Sequence, residues 1–153
     1  MIEVEIEDAA WTAALPDAAG VVERAATAAL RTVAGDVVVL LTGDAEVRDL
    51  NARFRERDQP TNVLSFPAAD MTLPGQAPHL GDLVLAYGVC AAEATAQGKT
   101  LADHLSHLTV HGVLHLLGRD HAADGEAEEM EAEERTILAS LGVADPYRAD
   151  AQA

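Results

Sequence analysis

The order of its patterned segments constrains the fold of this chain most strongly. Four short strand-like runs alternate with helical segments over the first half, and helices follow one another afterwards. This order is typical of a small sheet packed against helices. We therefore predict one α/β (α+β) domain over residues 1–148, with a mixed sheet of about four strands against several helices and a frayed tail at 149–153. The predicted strands are Ile2–Ile6, Asp36–Gly43, Val63–Pro67 and Leu80–Tyr87.

Two of the predicted helices carry recognisable N-terminal signals. Asp44 is placed to cap a helix that runs toward Phe54. Thr100 and Asp103 fit a capping box for a later helix, Leu101–Leu117. That later helix becomes the central one for function, because it carries most of the histidines.

An acidic helix is predicted to follow from Asp124. Its inner stripe would consist of Met130, Ile137, Leu138 and Leu141, which recur at helical spacing. The acidic residues in its first turn suit the helix dipole.

Five of the six histidines lie between His104 and His121. His111 and His115 are four residues apart, so they share a helix face and their imidazoles can hold one metal ion. Gly118 lets the chain leave the helix, and His121 can return as a third ligand. Three protein ligands leave one position open, which is typical of catalytic zinc. We predict one Zn²⁺ at the end of this helix, held by these three histidines.

Two further histidines precede this set on the same stripe. For His107, a role facing the substrate or behind the ligands and an ordinary structural role both stay open. His104 is interpreted as an ordinary histidine on a groove-facing stripe.

Zinc proteases use the same histidine spacing, but their glutamate is replaced here by Gly112. That glutamate is the general base, so a protease would need a base from elsewhere. Asp120 and Asp82 are candidates by motif, although Asp120 is better suited to orienting a ligand and Asp82 to bracing the sheet. We place both behind the ligands.

The charge distribution is uneven. The net charge of −16 by itself disfavours a nucleic-acid partner. Yet four of the 10 basic residues fall within one ten-residue stretch, where they can hold a phosphate-rich ligand or simply form a solvated face. These residues are Arg48, Arg53, Arg55 and Arg57.

Location is inferred from absences. The single cysteine, Cys90, cannot form an internal disulfide, and it lies in an apolar run where burial is expected. The first residues lack the features of a secretory signal, and no apolar run reaches the ~18 residues of a membrane span. We expect a cytoplasmic protein without a membrane partner.

Three sequence blocks resemble the YbeY endoribonuclease (rRNA maturation factor) family. They are "LNARFRERDQPTNVLSFP" (Leu50–Pro67), "GDLVL" (Gly81–Leu85) and "HGVLHLLGRDH" (His111–His121), in the family's order. The resemblance spans roughly residues 36–148. Arg119 stands where an aromatic residue is common in the family, and this departure leaves the ligand positions intact.

The resemblance implies zinc on His111, His115 and His121 and an arginine, here Arg55, at the active cleft. It also implies cytoplasmic trimming of ribosomal RNA and its precursors, especially at the 3′ end of small-subunit RNA, together with ribosome quality control. Small-subunit ribosomal proteins or an assembly GTPase are possible partners, and no DNA is expected.

Within that cleft, Arg55 is predicted to clamp the phosphate. Arg53 and Arg57 are weak phosphate contacts or surface charges. Asn62 and Ser65 are predicted to line the cleft. Two other functions stay open: a metalloprotease-like hydrolase, and a ribosome-assembly binding protein whose metal is only structural.

Overall fold

The computed structural model describes residues 1–57, 59, 61–68, 78–118 and 124–146, leaving aside the side chains of Arg55 and residues 124–127. This part of the chain forms four strands and six helices. The strands are β1 (Ile2–Ile6), β2 (Asp36–Thr42), β3 (Val63–Pro67) and β4 (His79–Ala86). The helices are α1 (Ala10–Ala14), α2 (Ala18–Leu30), α3 (Asp44–Arg55), α4 (Tyr87–Ala96), α5 (Leu101–Leu116) and α6 (Asp124–Ser140). The predicted tail at 149–153 lies outside the described residues.

The strands form one mixed sheet in the order β1-β2-β4-β3. β1, β2 and β4 run parallel, while β3 is antiparallel to β4. This arrangement confirms the predicted fold class. The β-branched run of β2 lies inside the sheet, as expected for a strand that is buried on both faces.

The two faces of the sheet carry cores of different size. Val39 and Leu83 point into the larger core, which also includes buried residues of α2, α5 and α6. Their neighbour Val84 points the other way, into a smaller core with Leu64 and with Val47 of α3. The period-2 alternation of strand side chains thus places α5 and α3 on opposite faces of the sheet.

Strand β3 forms one edge of the sheet. Ala86 N–H donates to Asn62 O at 3.0 Å, and Ala68 N–H donates to Leu80 O at 3.1 Å. Because backbone groups alternate along an antiparallel pair, the intervening odd-numbered residues turn theirs toward the open edge. Pro67 is one of them, so its missing N–H removes no bond from the ladder. This edge faces the space beside α5.

The helix ends test the predicted caps. Thr100 caps α5 and accepts a hydrogen bond from Asp103 N at 3.1 Å, which confirms the predicted start of that helix. The predicted cap at Asp44 is wrong. Gly43 is the N-cap of α3, and the Asp44 carboxylate accepts a bond from Val89 N at 3.1 Å at the start of α4.

The inner stripe of the acidic helix is confirmed. Met130, Ile137 and Leu138 are buried in the larger core, and Leu141 packs against it. Cys90 is also buried, and burial raises its pKa to about 12, so the thiol stays protonated at neutral pH.

Helix α1 was not predicted. It covers only five residues, yet it buries Trp11 completely, and the indole N–H of Trp11 donates to Thr42 O at 2.9 Å. None of the helices in the described residues is long and apolar enough to cross a lipid bilayer.

Candidate functional site

Helix α5 carries a row of four histidines along one side: His104, His107, His111 and His115. Successive ring centroids are 6.2, 6.3 and 4.6 Å apart. Their separations of three or four residues bring them onto one face, as helical geometry requires. The last pair is the closest.

His111 and His115 direct the same nitrogen toward each other. Their Nε2 atoms are 3.1 Å apart. Two nitrogens on one tetrahedral zinc, each about 2.0–2.1 Å from the ion, are roughly 3.4 Å from each other. The pair therefore fits a shared metal with little adjustment.

The third predicted ligand, His121, lies outside the described residues. Within the residues that the structure does describe, no group of three histidine, cysteine or acidic side chains is placed to hold a metal ion. The zinc site thus stays a prediction, for which the structure supplies two convergent nitrogens.

A buried carboxylate stands behind the histidine pair. Glu134 of α6 is fully buried, and its Oε1 forms a short hydrogen bond with His111 Nδ1. The same oxygen is 3.9 Å from His107 Nε2. A carboxylate here keeps the proton on Nδ1, which leaves the Nε2 lone pair of His111 available on the side of His115. This is the usual arrangement behind a metal-bound histidine.

Glu134 was not predicted as a site residue, because it is one of eight acidic residues between Asp120 and Glu134. One signal was available. Position 134 lies four residues after Met130 and four before Leu138, on the apolar stripe of the helix. An acid on such a stripe is buried and needs a partner.

A cavity of about 860 Å³ opens beside the histidines, between the edge strand β3 and α5. Its described lining contains one cation, Arg57, and no carboxylate. The lining thus offers positive charge and neutral polar groups, which suits an anionic ligand. The residues that line it are Asn51, Arg57, Gln59, Thr61, Asn62, Val63, Leu64, Ser65, Pro67, His107, Leu108, His111 and His115.

His107 belongs to this cavity. Its side chain is 14% exposed, and burial lowers its pKa to about 4. The imidazole is therefore neutral at neutral pH, so it can offer a hydrogen bond to a ligand without carrying a charge.

His104 belongs to a different environment. It is 2% exposed, and its Nε2 lies 2.9 Å from Glu93 Oε1 of α4. These contacts agree with the predicted ordinary structural role, although His104 is not among the residues that line the cavity. The cause is the packing of α4 against this end of α5.

Asn62 lines the cavity, as predicted, but its amide makes structural bonds. Its Nδ2 donates to Glu93 at 3.1 Å, and its Oδ1 accepts from Val63 N at 2.7 Å. These bonds fix the start of β3, and with it one wall of the cavity, to α4. A substrate contact by Asn62 stays a prediction.

The predicted arginines are placed differently from one another. Arg57 lines the cavity. Arg53 is exposed and pairs with Asp49 at 3.4 Å instead of lining the cavity. Arg55 ends α3, and its side chain is outside what the structure describes.

The remaining predicted site residues also differ in whether they line the cavity. Ser65 lines the cavity. Asp82 lies on β4 at 3.2 Å from His79 Nε2 and does not line the cavity. Asp120 falls outside the described residues. A role behind the ligands stays a prediction for both acids.

Packing accounts for the glycine at position 112. A Cβ there would lie 2.7 Å from Leu83 Cδ2 and 3.0 Å from Leu83 Cδ1. Any side chain here would have to displace Leu83, so glycine suits the close approach of α5 to β4. A glutamate at this position would point at the sheet, so Gly112 does not mark a lost catalytic base in this fold.

Comparison with known proteins decides the family. Residues 3–142 match the family model described as endoribonuclease YbeY. A protein named endoribonuclease YbeY from Paramagnetospirillum magneticum is 53% identical, over 95% of this chain and 94% of its own length. Another from Azorhizobium caulinodans is 51% identical, over 99% of this chain and 98% of its own. The chain belongs to the endoribonuclease YbeY family.

A solved structure agrees with the fold. The solution structure of TM1509 from Thermotoga maritima superposes with a TM-score of 0.55 at 22% identity, over 97% of this chain and 99% of that one. The YbeY match covers the sheet except Ile2, and it also covers the histidine row and Glu134. The predicted family is therefore confirmed over the part of the chain that forms the site.

Proposed function

We propose that this YbeY-family protein is a zinc-dependent endoribonuclease that processes ribosomal RNA in the cytoplasm. Its substrate would be precursor RNA, trimmed at the 3′ end of the small-subunit RNA, with a related role in ribosome quality control. One observation carries the proposal. The Nε2 atoms of His111 and His115 converge to 3.1 Å at the wall of a cavity that also contains Arg57.

His111, His115 and His121 would hold the zinc ion. Bound there, zinc supplies a Lewis acid that polarises phosphoryl oxygens and acidifies water. Glu134 orients His111 through Nδ1 and keeps its Nε2 free of a proton.

The chain's cations would bind the scissile phosphate. Arg57 lines the cavity, and Arg55 is proposed to join it as a bidentate clamp. Guanidinium groups placed there offset the charge that develops on the phosphate in the transition state. Neutral His107 can hold a substrate oxygen by a hydrogen bond.

The cavity lining favours this function over a metalloprotease. A protease of this type needs a carboxylate close to the metal. The described lining contains none, and Gly112 faces Leu83. A purely structural metal would need a fourth protein ligand. The described residues bring only His111 and His115 together for such a site.

The experiment is cleavage of a small-subunit RNA 3′ fragment by purified, zinc-loaded protein. We expect His115→Ala and Arg55→Ala to lower the cleavage rate by about 100-fold or more, since each removes a group that stabilises the transition state. Arg24→Ala is the control, because Arg24 is an exposed arginine of α2 that pairs with Asp17 and does not line the cavity. Cleavage that survives His115→Ala unchanged would contradict the proposal.

The net charge of −16 bears on how RNA reaches the cavity. Such a chain should bind free RNA weakly and in a salt-sensitive way. We propose that small-subunit ribosomal proteins or an assembly GTPase present the substrate. Tight binding of naked RNA that persists as salt rises would argue against this part of the proposal.

A further inference from the structure

Phe54 stands out on the surface of α3. It is 64% exposed, and it is the aromatic residue among the exposed large hydrophobic side chains of the described residues. A single exposed apolar side chain is common and means little by itself. The surroundings of Phe54 distinguish it.

A second aromatic ring holds one side of the Phe54 ring in place. Phe66 of β3 meets Phe54 edge to face, with centroids 5.7 Å apart and planes at 74°. Phe66 packs against the smaller core, so it is a firm support. Phe54 is therefore held in position while most of its surface stays open to solvent.

The supported ring lies between two cavity-lining residues along the chain. Asn51 and Arg57, three residues before and three residues after Phe54, both line the cavity, whereas Phe54 and Phe66 are not among the lining residues. Because the chain enters the cavity lining on both sides of Phe54, the ring is near the site that would hold the scissile phosphate.

An arginine stands on each side of Phe54 in the sequence, at positions 53 and 55. Arg53 is exposed and its pairing with Asp49 is long, at 3.4 Å between two exposed side chains. An exposed pair of this kind contributes little energy, so a phosphate can compete for the guanidinium. In a chain with 10 basic and 26 acidic residues, this is where an RNA backbone would approach.

We propose that Phe54 is a stacking platform for one unpaired base of the RNA substrate, next to the scissile phosphate, with Phe66 as its support. This inference rests on the proposed endoribonuclease function. An open aromatic face flanked by arginines is how proteins bind single-stranded nucleic acid, and it tolerates any base because each has a π face. The platform would therefore select unpaired RNA at this position and not a particular sequence.

The test is cleavage of a 12-nucleotide single-stranded RNA by the zinc-loaded protein. The RNA is used intact and with one abasic nucleotide at each position in turn. Phe54→Ala and Phe54→Leu should lower kcat/KM on the intact RNA by roughly 5- to 50-fold. Phe54→Tyr keeps an aromatic face and should stay within about 2-fold of the wild type.

The abasic series identifies stacking. At one position of the RNA, removing the base should lower kcat/KM of the wild type by the same factor as Phe54→Ala lowers it on the intact RNA. On that abasic RNA, Phe54→Ala should cause no further loss. If Phe54→Ala lowers kcat/KM by the same factor on every RNA of the abasic series, the residue has a packing role and the inference is overturned. Wild-type activity in Phe54→Leu overturns it as well, since leucine preserves the apolar contact with Phe66 but has no ring.

Two controls separate this inference from the function on which it rests. Thermal unfolding shows whether Phe54→Ala is folded, and if it is not, the comparison of Phe54→Leu with Phe54→Tyr decides. Cleavage that is unchanged in His115→Ala rejects the endoribonuclease function and the platform together. Cleavage that depends on His115 but not on Phe54 rejects the platform alone.

Discussion

The two ends of the histidine row on α5 differ in which ring nitrogen meets a carboxylate. At the first end, Glu93 meets Nε2 of His104, and the remaining Nδ1 is buried without a hydrogen-bond partner among the described residues. At the other end, Glu134 meets Nδ1 of His111, and Nε2 faces His115.

This difference separates a structural histidine from one that is proposed to bind zinc. Nε2 is the outer nitrogen of the ring and the one that can reach across to a shared ion. Glu93 occupies it in His104, whereas in His111 it faces Nε2 of His115. The same residue type on the same helix face would thus have two roles, set by the carboxylate that a neighbouring helix brings.

The largest expected effect is a difference in zinc content between variants at the two ends of the histidine row. His115→Ala should weaken zinc binding by about 100-fold or more, because it removes one of the three predicted ligands. His104→Ala should retain one zinc per chain and instead lower the free energy of unfolding by about 1–3 kcal/mol, since Glu93 loses a partner. Metal analysis and thermal unfolding of both variants measure this. Loss of zinc in His104→Ala with retention in His115→Ala would reverse the comparison.

A smaller effect is expected when the carboxylate behind the ligand pair is neutralised. Glu134→Gln keeps the size of the side chain but no longer orients His111 with a charge, so zinc affinity should fall about 10- to 100-fold. Glu131→Gln is the control, because Glu131 is on the same helix and only partly buried, 3.8 Å from Arg135. Competition with a zinc chelator gives both affinities. Equal affinities in the two variants would remove Glu134 from the site.

The smallest effect is expected at the first end of the row. Glu93→Gln weakens the hydrogen bonds to His104 and Asn62 but leaves His111 and His115 untouched. We expect a loss of about 1 kcal/mol in the free energy of unfolding, measured with urea, and no change in zinc affinity. A fall in zinc affinity as large as that in Glu134→Gln would show that the two ends act as one network.

Local patterns predicted most of the fold. The strand β2 follows from a β-branched run, and the start of α5 follows from the capping box at Thr100. Helix α1 was not predicted, because five residues are too few to show the periodicity of apolar residues in a helix. The carboxylate of Asp44 was misassigned because its partner, Val89, is 45 residues away and no local signal announces such a contact.

The candidate site also has features that the sequence predicted and features that it did not. The pairing of His111 with His115 follows from their spacing of four residues. Glu134 could not be assigned to His111, because 23 residues separate them and an acidic helix looks solvent-exposed from its composition. The environment of His104 depended likewise on Glu93, 11 residues away on another helix.

The sequence by itself determined that four histidines share one helix face and that three motif blocks resemble one family. These features depend on the 3.6-residue period of a helix and on the order of residues, which are local properties. Only the tertiary structure decided which nitrogen of His104 and of His111 meets a carboxylate, and that Gly112 serves the contact with Leu83. These outcomes depend on how α4, α6 and β4 dock against α5, and docking is set by the burial of the whole core.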